Sequence, residues 1–304
     1  MRCLVIGLVL VGSASRAHAG DPKFEFAKQE AADKAKQAEA DANAVEWKAT
    51  AEAGLVFTTG NSETTTVTAG IKASRKAGKD KLSLEGAVAY ARSATRALAD
   101  LDGDGLVGSE AEIATVTSTT AETLAGKVRY DRFLTEHNTL FAALLASRDV
   151  PAGKDLVIGA QIGYSRLLHK TKTSEVIGEF GYDFSREDLA VGDPVAIHSA
   201  RALFGVKSTL SEGVEADGAL ELLSNLNRET LPTMRDGGAF KDTRINGHGG
   251  VTAKLGKSLA VQTTIDAKYD HRPGPLAIKN LAPGFVPEAT ALDTIMKASL
   301  IYTF

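Results

Sequence analysis

The sequence predicts an all-β protein: a closed antiparallel transmembrane β-barrel of about twelve strands, behind a short N-terminal segment that is helical or disordered. Three observations predict it. Apolar and polar side chains alternate with a period of two from Trp47 to the C-terminus, and successive side chains of a strand point to opposite faces. The connections between these runs are short and long by turns. An export signal opens the chain, yet no later window offers the ~20 apolar residues of a membrane helix. A membrane protein built this way crosses only as a barrel, where every backbone polar group is paired internally.

Residues 1–19 read as a cleaved signal peptide. Arg2 supplies the basic start, residues 4–11 the apolar run, and Ala17, His18 and Ala19 an A-x-A cleavage pattern. The run is too short to span a bilayer as a helix. Cys3 precedes it, whereas a lipidated cysteine would follow it, and the mature chain contains no cysteine. A small disulfide-stapled fold is therefore excluded. Removing Arg2 and Arg16 leaves 33 basic and 38 acidic residues, a net charge of −5. With no basic tract, nucleic acid is not an expected partner.

Residues 20–46 form a second unit, an Ala/Lys/Glu-rich periplasmic leader. Phe24 and Phe26 precede a stretch with high helix propensity but almost no apolar stripe beyond alanine. A solvated, partly helical leader is expected there.

Residues 47–304 carry the barrel. Trp47, Ala49, Ala51, Ala53, Leu55 and Phe57 share one face, against Lys48, Thr50, Glu52 and Thr58. Leu82, Leu84, Val88 and Tyr90 oppose Ser83 and Glu85, and Leu124, Val128 and Tyr130 oppose Lys127, Arg129 and Asp131. Ile158, Ile162 and Tyr164 continue the pattern, then Val176, Phe180, Tyr182 and Phe184. Phe204 and Val206, Leu220 and Leu222, and Ile265 and Tyr269 follow. The last strand sets Leu292, Met296, Leu300, Tyr302 and Phe304 against Asp293, Lys297 and Thr303. An apolar face, a charged face and a terminal aromatic suit the closing strand of an outer-membrane barrel.

Short turns are predicted at 77–80, 135–138, 170–172, 211–213 and 256–258. Longer or irregular connections are predicted at 92–119, 150–154, 186–197, 225–241 and 271–290, with 59–63 joining this set by its place in the order. Outer-membrane barrels combine short periplasmic turns with longer extracellular loops. An even strand count puts both termini in the periplasm. Eighteen aromatics are few for two interfacial girdles, but many lie near predicted strand ends.

The segment 54–65, from Gly54 through Thr59, Gly60, Asn61 and Ser62 to Thr65, is followed by a strand and a basic turn at 75–81. It resembles the salt-induced outer membrane protein family, domain of unknown function 481. Residues 124–135, with Tyr130 and Asp131 before a Phe133, Leu134, Thr135 turn, also resemble that family. The likeness covers residues 50–304 and implies an outer-membrane β-barrel of unassigned activity, with no catalytic or ligand residues to carry over. The leader and the 92–119 connection depart from the family pattern.

Two constellations could carry chemistry. Asp100, Asp102 and Asp104, with Gly105 and Val107, follow the first positions of an EF-hand-type loop, in which carboxylates converge on one hard cation. Position 12 is Ala111, flanked by Glu110 and Glu112, so the bidentate ligand is displaced. Calcium is the one candidate cofactor; an acidic surface loop explains the same residues. The second constellation is the inner-parity charge. It comprises Glu85 on one strand, Lys127 and Arg129 on the next, then Glu175 and Glu179, and Arg201 and Lys207. Glu215 and Asp217 follow, then Arg244, His248 and Lys254, Asp266 and Lys268, and Asp293 and Lys297. Such mixed signs either pair across the lumen or line a narrow polar channel.

No serine motif supports a nucleophile and the six histidines show no zinc spacing, so no enzyme is expected. The expectation is an outer-membrane barrel that is structural or a narrow passive channel for small polar solutes. Its partners are outer-membrane lipid and the barrel-assembly machinery. The alternative is a cell-surface adhesion or interaction barrel with a calcium-stabilised loop.

Overall fold

A computed structural model of the chain describes residues 45–58, 62–98, 113–150, 152–230, 236–256, 259–275 and 290–302. Twelve of its strands form one antiparallel sheet. In chain order they are β1 (Val45–Thr58), β2 (Ser62–Ala77), β3 (Asp80–Leu98), β4 (Ile113–Phe133), β5 (Asn138–Asp149), β6 (Lys154–Lys170), β7 (Ser174–Leu189), β8 (Val195–Ser211) and β9 (Val214–Asn225). After a two-stranded ribbon of β10 (Glu229–Thr230) and β11 (Asp236–Gly237) come β12 (Thr243–Lys254), β13 (Leu259–Asp270) and β14 (Leu292–Tyr302). Every sheet strand pairs with its sequence neighbour, β9 pairing with β12 across the ribbon.

The short turns close as their residues demand. Gly78 and Gly213 adopt positive φ, 57° and 80°, which glycine takes without a Cβ clash. Between β4 and β5 the Thr135 hydroxyl accepts from the amides of His137 and Asn138, and between β6 and β7 the Thr171 hydroxyl accepts from Thr173 and Ser174. These side chains satisfy turn amides that have no ladder partner.

Two predicted connections are shorter than expected. Half of the 92–119 connection is strand: β3 and β4 stay paired from Arg92 opposite Thr119 to Leu98 opposite Ile113. The β-branched run of Thr115, Val116, Thr117, Thr119 and Thr120 suits extended backbone, and one residue, Thr120, bulges out of register. The 186–197 connection shrinks to 190–194, because Leu189, Val195 and Ile197 bury one another on the inner face.

One face of the sheet is apolar and exposed along its whole width. Leu84 and Val88 on β3, Leu124 and Val128 on β4, Leu144 on β5, Ile158 and Ile162 on β6 and Phe180 on β7 belong to it. So do Phe204 on β8, Leu220 on β9, Val251 on β12, Ile265 on β13 and Met296 on β14. The opposite face is concave. Lys154 on β6 lies 3.2 Å from Asp270 on β13, although those strands stand five places apart in the sheet order. At ~4.8 Å per strand a flat sheet would hold them roughly 24 Å apart, so the sheet curls back on itself. Its end strands, β1 and β14, bring some Cα atoms within 8 Å of each other without forming a ladder.

Candidate functional site

The concave face divides into two walls of different character. Along β4–β8 it is filled. Glu179 on β7 is the hub, accepting from Arg129 on β4 at 2.8 and 3.2 Å and from Arg201 on β8 at 2.9 Å. Arg129 also grips Asp131, two residues on and therefore on the same face, at 2.9 and 3.1 Å. Arg201 donates to Glu221 on β9 at 2.6 Å, and Asn246 on β12 donates to the other oxygen of Glu221 at 2.9 Å. The Phe141 ring on β5 lies 4.1 Å from the Arg129 guanidinium and 5.4 Å from that of Arg201. Planar guanidinium forks suit such shared carboxylates, because each donates along two edges. Towards the short turns the same wall is apolar, with Phe133, Leu167, Ile177 and Leu203 buried together.

Towards the long connections a second set of charges crosses the concavity. Lys154 lies 3.2 Å from both Glu187 on β7 and Asp270 on β13. Arg244 on β12 donates to Glu187 and lies 3.3 Å from Asp242 and 3.6 Å from Asp270.

The wall of β9, β12 and β13 is solvated. His248 stands between Asp217, at 3.0 Å, and Asp266, at 2.6 Å. Glu215 lies 3.4 Å from Lys207 and 3.8 Å from Lys254. These side chains keep between 20 and 44 % of their surface exposed, against 7 % or less for Arg129, Asp131, Glu179 and the Arg201 side chain.

The charges singled out in the sequence thus fall into separate groups. Arg129, Glu179 and Arg201 meet in the filled wall; Lys207, Glu215 and Lys254 form one solvated cluster, and Asp217, His248 and Asp266 another. Glu85 stands opposite Lys127 in the β3–β4 register, and Lys268 opposite Asp293 in the β13–β14 register. Glu175 lies 3.5 Å from Lys170 and opposite Lys207, and Lys297 is opposite Thr264. Asp131, Phe141, Glu187, Glu221 and Asp270 complete the site, and their inner parity was the signal that could have found them. Lys154 had no such signal, because a register shift between Lys154 and Leu156 turns it inward. Asp100, Asp102, Asp104, Glu110 and Glu112, the candidate calcium loop, lie outside the described residues.

No curated protein matches the chain. Among solved structures, the chain aligns with the NanC porin at 12% identity and a TM-score of 0.44, covering 84% of this chain and 99% of that one. An anion-selective porin from Comamonas acidovorans aligns at 11% identity and a TM-score of 0.35, covering 84% and 100%. The translocator domain of the autotransporter NalP from Neisseria meningitidis aligns at 11% identity and a TM-score of 0.29, covering 86% and 82%. A family profile matches residues 51–304, and the chain belongs to that family, DUF481, a group of proteins of unknown function.

Proposed function

We propose that this chain is a bacterial outer-membrane β-barrel that passes small polar solutes passively along a narrow, off-centre path beside β9, β12 and β13. The observation that carries the reading is a contrast in exposure: Glu215, Asp217, His248, Lys254 and Asp266 on β9, β12 and β13, with Lys207 on β8, keep 20–44 % of their side-chain surface exposed, while Arg129, Asp131, Glu179 and Arg201 on β4, β7 and β8 keep 7 % or less. Solvated charge inside a curled sheet means water inside it, and a water-filled interior narrowed from one side sieves by size.

The outer surface supports the membrane part of the proposal. Its exposed apolar side chains run across all twelve strands of the sheet, whereas a soluble monomer keeps its largest apolar patch to a few hundred Å². β13 has 12 residues and β14 has 11, and tilted strands of ~9–11 residues cross a bilayer. In lipid, the edges of β1 and β14 would each bare a row of N–H and C=O groups costing several kcal/mol apiece, so we read them as paired in a closed barrel. Outer-membrane lipid and the assembly machinery are then its partners, and it has no catalytic step of its own.

The test is single-channel recording on protein first shown to be folded by heat-modifiable gel mobility. Small discrete conductance steps are expected, with Asp217→Arg shifting the reversal potential towards anions. A folded protein that never conducts, or an Asp217→Arg variant with wild-type selectivity, overturns the reading.

A further inference from the structure

Residues 271–275, which follow β13, cross the concavity as a strap. Arg272, Pro273, Gly274 and Pro275 are all buried. A Cβ on Gly153, between β5 and β6, would lie 2.1 Å from the Pro275 carbonyl, and one on Gly274 would lie 3.5 Å from Leu189 on β7. A segment that leaves β13 therefore seats against the connections of β5–β8, across the end that carries the long connections. The ribbon of β10 and β11 lies beside it, since a Cβ on Gly237 would overlap Arg272 Nη1.

The strap is tied down at one buried point. Arg272 Nη1 donates to Glu229 Oε1 at 3.1 Å, with side-chain exposures of 3 and 0 %. The Glu229 side chain neighbours that of Asp242, which is 2 % exposed. Asn225 fixes this corner: its carboxamide oxygen accepts from the Asp242 amide at 2.9 Å, and its nitrogen donates to the Gly238 carbonyl at 3.1 Å. Glu229 Oε2 and Asp242 Oδ1 have no donor among the described residues. Two buried acceptors side by side, each without a donor, are both satisfied if they share one proton.

We propose that Glu229 and Asp242 share a proton that latches the strap over this end of the barrel, and that losing the proton releases the strap and the ribbon. The latch presumes the barrel reading only for what release does to passage; the strap and its tie stand without it. The charge around the pair agrees. Among the described side chains, Glu229, Asp242, Asp270 and Glu187 face Arg272 from the strap, Arg244 from β12 and Lys154 from β6, four carboxylates against three cations. One proton balances the set. Of the other titratable groups nearby, His198 on β8 faces Phe184 and Tyr182, His271 faces Tyr269, and Arg228 and Lys241 are exposed. Burial, reinforced by the adjacent Asp242 and opposed by Arg244 and Arg272, pushes the Glu229 carboxyl up to about 7. Burial also raises Asp242, against the pull of Arg244.

The direction of the pH effect follows. The latched form keeps a proton that the released form gives up, so latching is strongest below the ordinary carboxyl value of 4.5 and weakens up to about 7. The latched-to-released ratio falls roughly tenfold per pH unit across that window, roughly 300-fold in all.

Hydrogen exchange on the folded full chain, corrected for intrinsic exchange rates, reads this ratio at the Leu226, Asp242 and His271 amides. Each of these donates to a backbone or side-chain acceptor in this corner. Protection there is expected to fall by up to roughly 100-fold between pH 5 and 8, while the centre of the sheet keeps its protection. Glu229→Gln mimics the protonated acid, its amide reaching Asp242 while its oxygen still accepts from Arg272, and should hold protection within about threefold over the same range. Asp242→Asn should do likewise. Unchanged wild-type protection from pH 5 to 8, or an equal fall in both variants, overturns the proposal. A protein that fails to conduct would overturn the channel reading alone.

Discussion

Replacing Glu179 with alanine removes the one carboxylate that Arg129 and Arg201 share. Arg129 keeps Asp131 and Arg201 keeps Glu221, so neither cation is abandoned, but three charge-assisted hydrogen bonds disappear from a site with a side-chain exposure of 0 %. Because each guanidinium keeps one carboxylate, the cost stays below the ~3–5 kcal/mol of an abandoned buried charge and is set by the lost charge-assisted hydrogen bonds, about 1.5–3 kcal/mol. Phe141 lies against both guanidiniums and restricts water from taking the vacated place. Arg148 and Glu122 provide the comparison: a 3.1 Å pair whose side chains are 50 and 42 % exposed, where Arg148→Ala should cost about 0–1 kcal/mol. The assay is reversible urea unfolding in lipid vesicles, followed by the fluorescence of Trp47, the only tryptophan and 69 % exposed on the outer face. If Glu179→Ala proves no more damaging than Arg148→Ala, the filled wall is not a brace and the reasoning fails.

Two further substitutions probe how closely the sheet is built. At Gly181 a Cβ would fall 2.4 Å from the Ile162 carbonyl oxygen and 2.9 Å from the Gly163 Cα; Gly181→Ala must therefore push β6 and β7 apart, at about 1–3 kcal/mol, whereas Gly256→Ala, with nothing within 4 Å, should stay within about 0.5 kcal/mol of wild type. The same urea titration separates them, and equal midpoints would contradict the register. Lys154→Ala removes the tie between β6 and β13 and should cost about 1–3 kcal/mol, appearing as faster amide exchange at the start of β6 and the end of β13 with the sheet centre unchanged. A uniform change across all strands would show that the tie is not local.

The sheet strands were legible because each sets apolar side chains on one face against polar ones on the other, and a period of two records that difference directly. Leu82, Leu84, Val88 and Tyr90 read as a strand for this reason. Arg92 to Leu98 and Ile113 to Thr119 did not, although they are paired strand: their side chains are mixed on both faces, so alternation carries no contrast there. The turns at Gly78 and Gly213 were visible as local chemistry. The ion network was visible only as a list of inner-facing charges. Sequence parity places Arg129 and Glu179 on the same face, but which strands meet across the concavity depends on how far the sheet curls. Lys154, turned inward by a register shift, and Arg272, on a strap read as a loop, show the limit most plainly. The ion pairs Lys154–Asp270 and Arg272–Glu229 each span more than 40 residues, and nothing near them in sequence marks the contact.

A charged interior also resolves a conflict that an apolar one would create. A twelve-stranded barrel is wider inside than an eight-stranded barrel whose side chains fill it, and large apolar residues could in principle fill the difference. In isolation that exchange is often neutral or favourable, since well-packed hydrophobic side chains commonly match buried ion pairs in stability. But every inner position sits between two outer ones. Making Arg129, Asp131, Glu179 and Arg201 apolar, and the other inner charges of these strands with them, would turn β4, β7 and β8 into strands that are apolar on both faces. Such runs approach the continuous hydropathy that holds a segment in a membrane as a helix, and in water they pair with other chains as aggregating edges. Charges that neutralise one another only after the sheet has curled keep each strand soluble while it is alone. The pairing of Arg129 with Glu179, 50 residues apart, is therefore available only to the assembled sheet, which ties desolvation of the inner face to completion of the fold.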